Sequence, residues 1–249
     1  MTRLSIKTRP QRTTWAEVRD FWMEADRMGV WAAGWLFDHL YPIFTTTFEP
    51  TLEAWTLLGS LTALTRHLRV GVMVSSNTYR HPALVAKMAA TVDRISDGRL
   101  ELGLGAGAGR SADEHLAYGI PMPGTAERMD MLEEACQVID GLLTCPTFSF
   151  DGDHYRLRDA RCEPKPIQQP RPPLVIGGRG ARRTLGVAAR FADQWNFPSG
   201  SPDELAELVA VLEGHCANVG RDPQAIEVSA QVTGAGDPGA IAEEAIGLV

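Results

Sequence analysis

The sequence predicts an α/β fold in which parallel strands alternate with helices, in the manner of a (β/α)8 TIM barrel. Short apolar runs alternate with longer segments of helical periodicity, and this alternation is typical of βαβ units and a parallel sheet. The chain has 249 residues, and a barrel of this class commonly fills about 250 residues as one domain. We therefore expect residues 1–249 to form a single barrel domain.

Seven short apolar runs are predicted to be strands. In chain order they are 4–7, 33–37, 69–74, 100–104, 174–176, 193–197 and 226–230. A closed barrel of eight strands needs one strand and one helix more. We therefore expect the last strand and helix to be lacking in the chain shown, by truncation or because the barrel closes in another way.

Signals for helix ends mark the segments between these strands. Thr14-x-x-Glu17 fits a capping box, in which two side chains each bind a free backbone N–H at the start of a helix, and Gly29 ends that helix. Ser201-Pro202-Asp203-Glu204 is a second helix start, with Gly220 as its stop. The other helices are predicted at 51–65, 82–95, 125–143, after Gly180, and from Asp237 to the last residue.

The segment 146–173 interrupts the alternation of strands and helices. It contains the stretch from Phe148 to Tyr155, which predicts a small hairpin, followed by a run that is rich in proline. We interpret this segment as an insertion on the barrel rim.

Composition and charge exclude several classes of function. The formal net charge is −7, which argues against a nucleic-acid partner because phosphate binding needs a basic face. No run approaches eighteen apolar residues, so no membrane span is expected. The first ten residues lack the apolar core of a signal peptide, and we expect a cytoplasmic protein. The four cysteines show no C-x-x-C pairing and predict no metal site.

Asp38-His39 directly follows the second predicted strand. Active sites of βα barrels lie where strands end and loops begin. A histidine exchanges a proton near neutral pH, and a neighbouring aspartate can orient it or raise its pKa. The alternative is structural, with Asp38 capping a turn and His39 packing.

Two glycine-rich turns follow later strands, at 103–109 and at 177–180. Alternate glycines let backbone N–H groups approach an anion closely. The first turn fits neither the G-x-G-x-x-G fingerprint nor the Walker pattern, and a flexible loop without ligand stays open as the alternative. The polar run from Val74 to Pro82 offers hydroxyl and amide groups to a heterocycle or a phosphate, or is an ordinary polar loop.

At these residues the sequence resembles the luciferase-like monooxygenase superfamily, specifically its F420-dependent oxidoreductases, over nearly the whole chain. Four stretches carry the resemblance together, by their order and spacing. They are Phe37-Asp38-His39-Leu40, the run from Tyr79 to Lys87, the run from Asp93 to Gly107, and Ile176-Gly177-Gly178.

The resemblance implies a luciferase-like barrel, a homodimer and a cofactor of the flavin type in the barrel mouth. We expect coenzyme F420, with FMN as the alternative. Asp38 would contact the deazaflavin ring, and His39 would lie beside its reactive carbon. Ser75 or Ser76 would bind the ring or its side chain. Backbone groups would hold the ribityl phosphate region at Ala106, Gly107, Gly177 and Gly178.

The resemblance also implies a cis peptide bond without proline behind the cofactor, near Met73-Val74. The implied reaction is hydride transfer between the deazaflavin and a small organic substrate, with His39 as acid or base and Asp38 fixing it. An FMN-dependent monooxygenase and a non-catalytic flavin-binding barrel are the alternatives. Ala108 stands where sugar-phosphate dehydrogenases of the family carry a glutamate, which argues against sugar-phosphate oxidation. Substrate specificity is expected from 40–49 and 146–173.

Overall fold

A computed structural model describes residues 3–43 and 48–232 of the protein. The chain divides after Pro173 into two compact units. Each unit is described by itself, and the expectation of one barrel domain over 1–249 stays a prediction. None of the helices among the described residues is long and apolar enough to cross a membrane.

In the described residues of the first unit, four parallel strands form the sheet. They are β1 (Ser5–Thr8), β2 (Ala33–Leu36), β3 (Arg69–Ser76) and β4 (Leu100–Gly105), and they pair in that order. Ser5 lies opposite Ala33, and Ala33 lies opposite Arg69. All residues of β2 and β4 are buried, as the continuous apolar runs predict for parallel strands covered on both faces.

Five helices belong to the part of the first unit that the structure describes. They are α1 (Trp15–Met28), α2 (Ala54–Leu64), α3 (Pro82–Ile95), α4 (Ala112–Tyr118) and α5 (Thr125–Thr144). The capping box predicted at Thr14 and Glu17 is present, and Gly29 ends α1 in the left-handed conformation. Helix α4 was not predicted, and the start predicted for α2 at Thr51 is wrong because Glu53 caps this helix instead.

Helix α1 packs against β2 by close approach of a tryptophan to a glycine. Trp22 is fully buried, and a Cβ on Gly34 would lie 2.7 Å from its ring. The indole Nε1 of Trp22 donates to the Thr8 hydroxyl at 3.0 Å. Any larger residue at position 34 would therefore separate α1 from the sheet, because an interior at this packing density has no room for it.

Strand β3 is longer than the predicted segment 69–74. It continues through Ser75 and Ser76, which were expected in the following loop, and its pairing with β4 is irregular between Val72 and Ser75. The peptide bond between Met73 and Val74 is cis, at the position that the resemblance implied. The irregularity therefore places the serines on the strand at the edge where the loops begin.

The insertion 146–173 contains the predicted hairpin. Its strands are β5 (Phe148–Asp151) and β6 (Arg156–Ala160), which pair antiparallel. The carboxylate of Glu134 on α5 accepts hydrogen bonds from the backbone N–H groups of residues 153–155. Because these N–H groups belong to the hairpin turn, Glu134 anchors the turn to α5.

A second carboxylate anchors the returning end of the insertion. Asp93 on α3 is fully buried and accepts the backbone N–H groups of Ile167 and Gln168 at 2.7 and 3.0 Å. Its other oxygen accepts from the Gln168 side chain at 2.6 Å. A buried carboxylate is stable when its oxygens are occupied in this way.

Among its described residues, the second unit contains three parallel strands and two helices. They are β7 (Leu174–Gly177), α6 (Thr184–Phe191), β8 (Gln194–Phe197), α7 (Pro202–Val219) and β9 (Glu227–Ala230), with the strands paired in the order β7, β8, β9. Ser201 caps α7 and Gly220 ends it, as predicted. The helix predicted from Asp237 lies outside the described residues. In both units parallel strands alternate with helices, which confirms the α/β class.

Candidate active site

The site of the first unit lies at the carboxyl ends of β2, β3 and β4. Asp38 and His39 follow β2, Ser76 ends β3, and Gly105 ends β4. Because parallel strands share one edge for their carboxyl ends, the predicted residues of this unit meet at that edge.

Asp38 is buried and forms an ion pair with Arg80. The Arg80 guanidinium donates to both carboxylate oxygens, at 2.6 and 3.1 Å, and the Asp38 side chain is 1% exposed. Burial raises the pKa of Asp38, while the charge and hydrogen bonds of Arg80 oppose that rise. Arg80 is therefore the group that stabilises a charge on Asp38.

Arg80 also contacts a second carboxylate, that of Glu53. The distance from its Nη2 to Oε1 of Glu53 is 2.5 Å. Glu53 caps α2 by accepting the backbone N–H groups of Trp55 and Thr56. Burial alone would raise the pKa of Glu53, but these hydrogen bonds and the Arg80 charge hold it below its ordinary value. One arginine thus joins the start of α2 to the end of β2.

His39 is oriented by Glu114 of α4, and the expectation that Asp38 fixes the ring is wrong. Nδ1 of His39 lies 2.7 Å from Oε1 of Glu114, whereas both oxygens of Asp38 bind Arg80. An ionised carboxylate only accepts hydrogen bonds, so Nδ1 carries the proton. In the neutral form of the ring, Nε2, which bonds to no described residue, is the free acceptor.

Glu114 also holds the backbone that follows His39. Its Oε2 accepts the N–H groups of Leu40 and Tyr41 at 2.6 and 3.1 Å. Burial alone would raise the pKa of Glu114, but the hydrogen bonds from His39 and from its other donors keep it below the ordinary value. The carboxylate is therefore charged at neutral pH.

His115, the next residue of α4, forms a chain of hydrogen bonds to the end of β3. Its Nδ1 lies 2.6 Å from the carbonyl oxygen of Ser111 and its Nε2 lies 2.7 Å from the Thr78 hydroxyl. Thr78 in turn lies 2.6 Å from the Ser76 hydroxyl. The Tyr79 ring stacks on His115 at 4.6 Å. His115 therefore lies beside the site as a buried structural link.

The two serines expected to bind the cofactor differ in their partners. The Ser75 hydroxyl accepts the indole N–H of Trp55 at 2.7 Å and is buried. The Ser76 hydroxyl faces Thr78 and the glycine turn. Of the two, Ser76 is the one that lies beside Gly107.

The turn after β4 has the properties expected of an anion cradle. Gly107 has a φ of 77°, and a Cβ there would lie 2.9 Å from the Ser76 hydroxyl. The backbone N–H groups of Ala106, Gly107 and Ala108 donate to no described residue. Arg128 fixes the turn by donating to the Ala106 carbonyl at 3.0 Å. Three free donors on a fixed turn fit the anionic tail of a cofactor.

Gly177 and Gly178 lie at the end of β7 in the second unit. The N–H of Gly178 donates to the carbonyl of Asn196 at 3.1 Å, and its carbonyl accepts from the Trp195 indole at 2.8 Å. Contact with a ligand through the Gly178 N–H is thus not available in this conformation. The N–H groups of Arg179 and Gly180 have no partner among the described residues, and the cofactor role of this turn stays a prediction.

Sequence reasoning missed Arg80, Glu53 and Glu114. Arg80 lies within the stretch that carries the resemblance but was given no role. Ser111-x-x-Glu114 followed by Gly119 has the spacing of a helix start and stop, and this signal would have predicted α4. No spacing would have paired Glu114 with His39, which lies 75 residues away.

The model of the family described as luciferase-like monooxygenase matches residues 1–243. An F420-dependent glucose-6-phosphate dehydrogenase of Microbacterium testaceum is 30% identical over 220 residues, 87% of this chain and 63% of that protein. An FMNH2-dependent dimethylsulfone monooxygenase of Pseudomonas putida is 30% identical over 205 residues, 76% of this chain and 55% of that protein. The chain thus spans less than two thirds of the length of these relatives.

Solved structures share the fold. An F420-dependent secondary alcohol dehydrogenase in complex with an F420–acetone adduct superposes with a TM-score of 0.80 at 21% identity, over 92% of this chain and 68% of that one. At this identity the likeness concerns the fold alone. It confirms the predicted class, a luciferase-like α/β barrel fold.

Proposed function

Because the chain belongs to the luciferase-like monooxygenase family, we propose that it is an oxidoreductase that uses a flavin-type cofactor, and that this cofactor is coenzyme F420. Bound F420 would supply a ring carbon that accepts or donates hydride. The similarity to an F420-dependent dehydrogenase over 87% of the chain supports this choice. The substrate would be a small organic molecule, and Ala108 disfavours a sugar phosphate.

The observation that carries the proposal is the fixed imidazole of His39. Glu114 holds its Nδ1 proton at 2.7 Å, which leaves Nε2 to take a proton from a substrate oxygen or to return one. Arg80 favours the charged form of the adjacent Asp38, which would face the cofactor ring. A positioned acid or base of this kind contributes about 10²- to 10⁴-fold to a rate.

Other residues of the first unit would hold the cofactor. Met73 and Val74 form the cis peptide behind the expected ring position, and Ser76 lies next to the glycine turn. The free N–H groups at Ala106 and Gly107 would bind the anionic tail. We keep Gly177 and Gly178 as predicted contacts, and the homodimer and cytoplasmic location likewise stay predictions.

FMN is the second candidate cofactor, favoured by the 30% identity to the FMNH2-dependent monooxygenase. Titration of the purified protein with F420 and with FMN, followed by fluorescence, distinguishes the two. We expect the dissociation constant for F420 to be at least tenfold lower. Tighter binding of FMN, with oxygen uptake by the reduced complex, would replace this assignment by a monooxygenase.

His39→Ala tests the proposed role of the imidazole. We expect turnover to fall by about 10²- to 10⁴-fold, with the dissociation constant of the cofactor changed less than threefold. His67→Ala is the matched control because the exposed His67 lies at the other end of β3. Unchanged turnover in His39→Ala would refute the role.

A further inference from the structure

We propose that Glu114 is the positioning residue that fixes the tautomer of His39. In this arrangement the charged carboxylate holds the His39 proton on Nδ1 and keeps Nε2 free to accept. The inference rests on the proposed function only where it assigns Nε2 of His39 a role in proton transfer with the substrate. The arrangement itself is a property of the chain and is measurable without substrate or cofactor.

The geometry requires a proton on Nδ1 of His39. The Glu114 side chain is 4% exposed, and its oxygens accept from His39, Leu40 and Tyr41 at 2.7, 2.6 and 3.1 Å. All three partners are donors, and an ionised carboxylate has only acceptor sites. A ring with its proton on Nε2 would direct a lone pair from Nδ1 toward the carboxylate, and that contact is repulsive.

A purely structural role for Glu114 would not need His39. The bonds to Leu40 and Tyr41 already attach the segment after β2 to α4. A second contact, between the rings of Tyr41 and Tyr118 at 5.6 Å, attaches the same segment independently. The bond to His39 adds orientation of the ring, which is the part that chemistry at Nε2 requires.

The position of Glu114 is itself fixed from the glycine turn. Helix α4 begins at Ala112, after one 3₁₀ turn at Gly109–Ser111 that follows the glycine turn. The neighbouring His115 is held on both nitrogens, by Ser111 and by Thr78. Because His115 is adjacent to Glu114 in this short helix, its two hydrogen bonds also limit the movement of Glu114. The turn that would bind the cofactor tail and the imidazole that would act on the substrate are therefore joined by one short helix.

Glu114→Gln gives a specific outcome because an amide has one accepting and one donating end. The backbone N–H groups of Leu40 and Tyr41 demand the oxygen, so the NH2 group must face His39. Nδ1 then becomes the acceptor and the proton moves to Nε2. The variant should thus invert the tautomer of His39 while changing the shape of the side chain very little.

The experiment is ¹⁵N NMR of the full chain with labelled histidine, with the His39 signals assigned by comparison with His39→Ala. In the unmodified protein we expect the neutral form of His39 to carry its proton on Nδ1. In Glu114→Gln we expect the proton on Nε2 and a decrease in kcat of about 10²- to 10⁴-fold, with KM changed less than threefold. Asp113→Asn is the matched control, since Asp113 is exposed on the same helix; it should keep the tautomer and the rate.

Two results would overturn the inference. One is a proton on Nε2 of His39 in the unmodified protein, which decides the question even if Glu114→Gln fails to fold. The other is an unchanged tautomer in a folded Glu114→Gln. Failure of the proposed catalytic role of His39 appears differently, as full turnover in His39→Ala while the tautomer result stands, and failure of the F420 assignment appears as tighter binding of FMN.

Discussion

Replacing Arg80 with methionine tests whether the buried charge of Asp38 depends on its guanidinium partner. The Asp38 side chain is 1% exposed and that of Arg80 is 13% exposed, so solvent does not replace the lost charge. Breaking a buried ion pair by removing one partner costs about 3–5 kcal/mol. Glu53, the other partner, is 38% exposed and is therefore partly solvated without Arg80.

Protonation of Asp38 sets an upper limit to the loss of folding free energy in Arg80→Met, because binding one proton neutralises the buried carboxylate. An ordinary aspartate has a pKa of about 3.9, and each pH unit above it costs about 1.4 kcal/mol to protonate. The limit is therefore about 4 kcal/mol at pH 7 and about 1.5 kcal/mol at pH 5. The lower bound for breaking a buried ion pair is about 3 kcal/mol. The free energy of unfolding of Arg80→Met should therefore be about 3–4 kcal/mol lower than that of the parent at pH 7.

The pKa of Asp38 determines whether Arg80→Met loses more stability at low or at high pH. Burial raises its pKa in the folded state, and loss of Arg80 removes the opposing influence. The folded variant then binds a proton more readily than the unfolded chain does. Stability from that proton is present at low pH and is lost as pH rises through the folded pKa. Arg80→Met should thus be least stable relative to the parent at pH 7.

Urea unfolding followed by tryptophan fluorescence at pH 5, 6 and 7 measures the effect. Adding Asp38→Asn to Arg80→Met removes the charge and should recover most of the loss at pH 7. Arg27→Met, in the exposed pair with Glu24, is the control and should change stability little. An equal cost at pH 5 and pH 7, or no recovery in the double variant, would refute the reasoning.

Two further predictions concern the glycine turn and the amino-terminal edge of the sheet. Gly107→Ala places a Cβ at a φ of 77° and should lower the free energy of unfolding by at least about 1–2 kcal/mol. It should also weaken cofactor binding, which titration measures. The control Gly59→Ala, in open space on α2, should instead raise the free energy of unfolding by about 1 kcal/mol. Asp26 accepts the N–H groups of residues 66–68; burial alone would raise its pKa, but these bonds lower it. Its stabilisation is therefore present above the unfolded pKa and lost as pH falls through the folded one. Asp26→Asn should lower the melting temperature at pH 7, and the difference should shrink at pH 3; a constant difference would contradict this assignment.

Much of the secondary structure could be predicted because its signals are local. The caps at Thr14 and Ser201 and the stops at Gly29 and Gly220 depend on residues three or four positions apart. The same local information failed at β3, where the serines belong to the strand. Its irregular pairing with β4 depends on a neighbouring strand, which local patterns do not report.

The candidate site was predictable in its positions but not in its partners. Asp38 and His39 could be placed because they follow a buried strand, and the glycine turn because alternate glycines are visible in the sequence. The adjacency of Asp38 and His39 suggested a pair, yet each bonds to a distant residue. Arg80 is 42 positions from Asp38, and Glu114 is 75 from His39. Such contacts follow from tertiary packing alone.

The anchoring of the insertion 146–173 has a consequence for how this scaffold can diversify. Glu134 binds the turn of the insertion and Asp93 binds its returning end. Both carboxylates accept hydrogen bonds from backbone N–H groups, which every residue except proline possesses. Exposed side chains of the hairpin, such as those of Arg156 and Arg158, are consequently exchangeable without loosening these two attachments. Selection or a directed library can therefore change the exposed residues of the hairpin while the framework beneath keeps its shape.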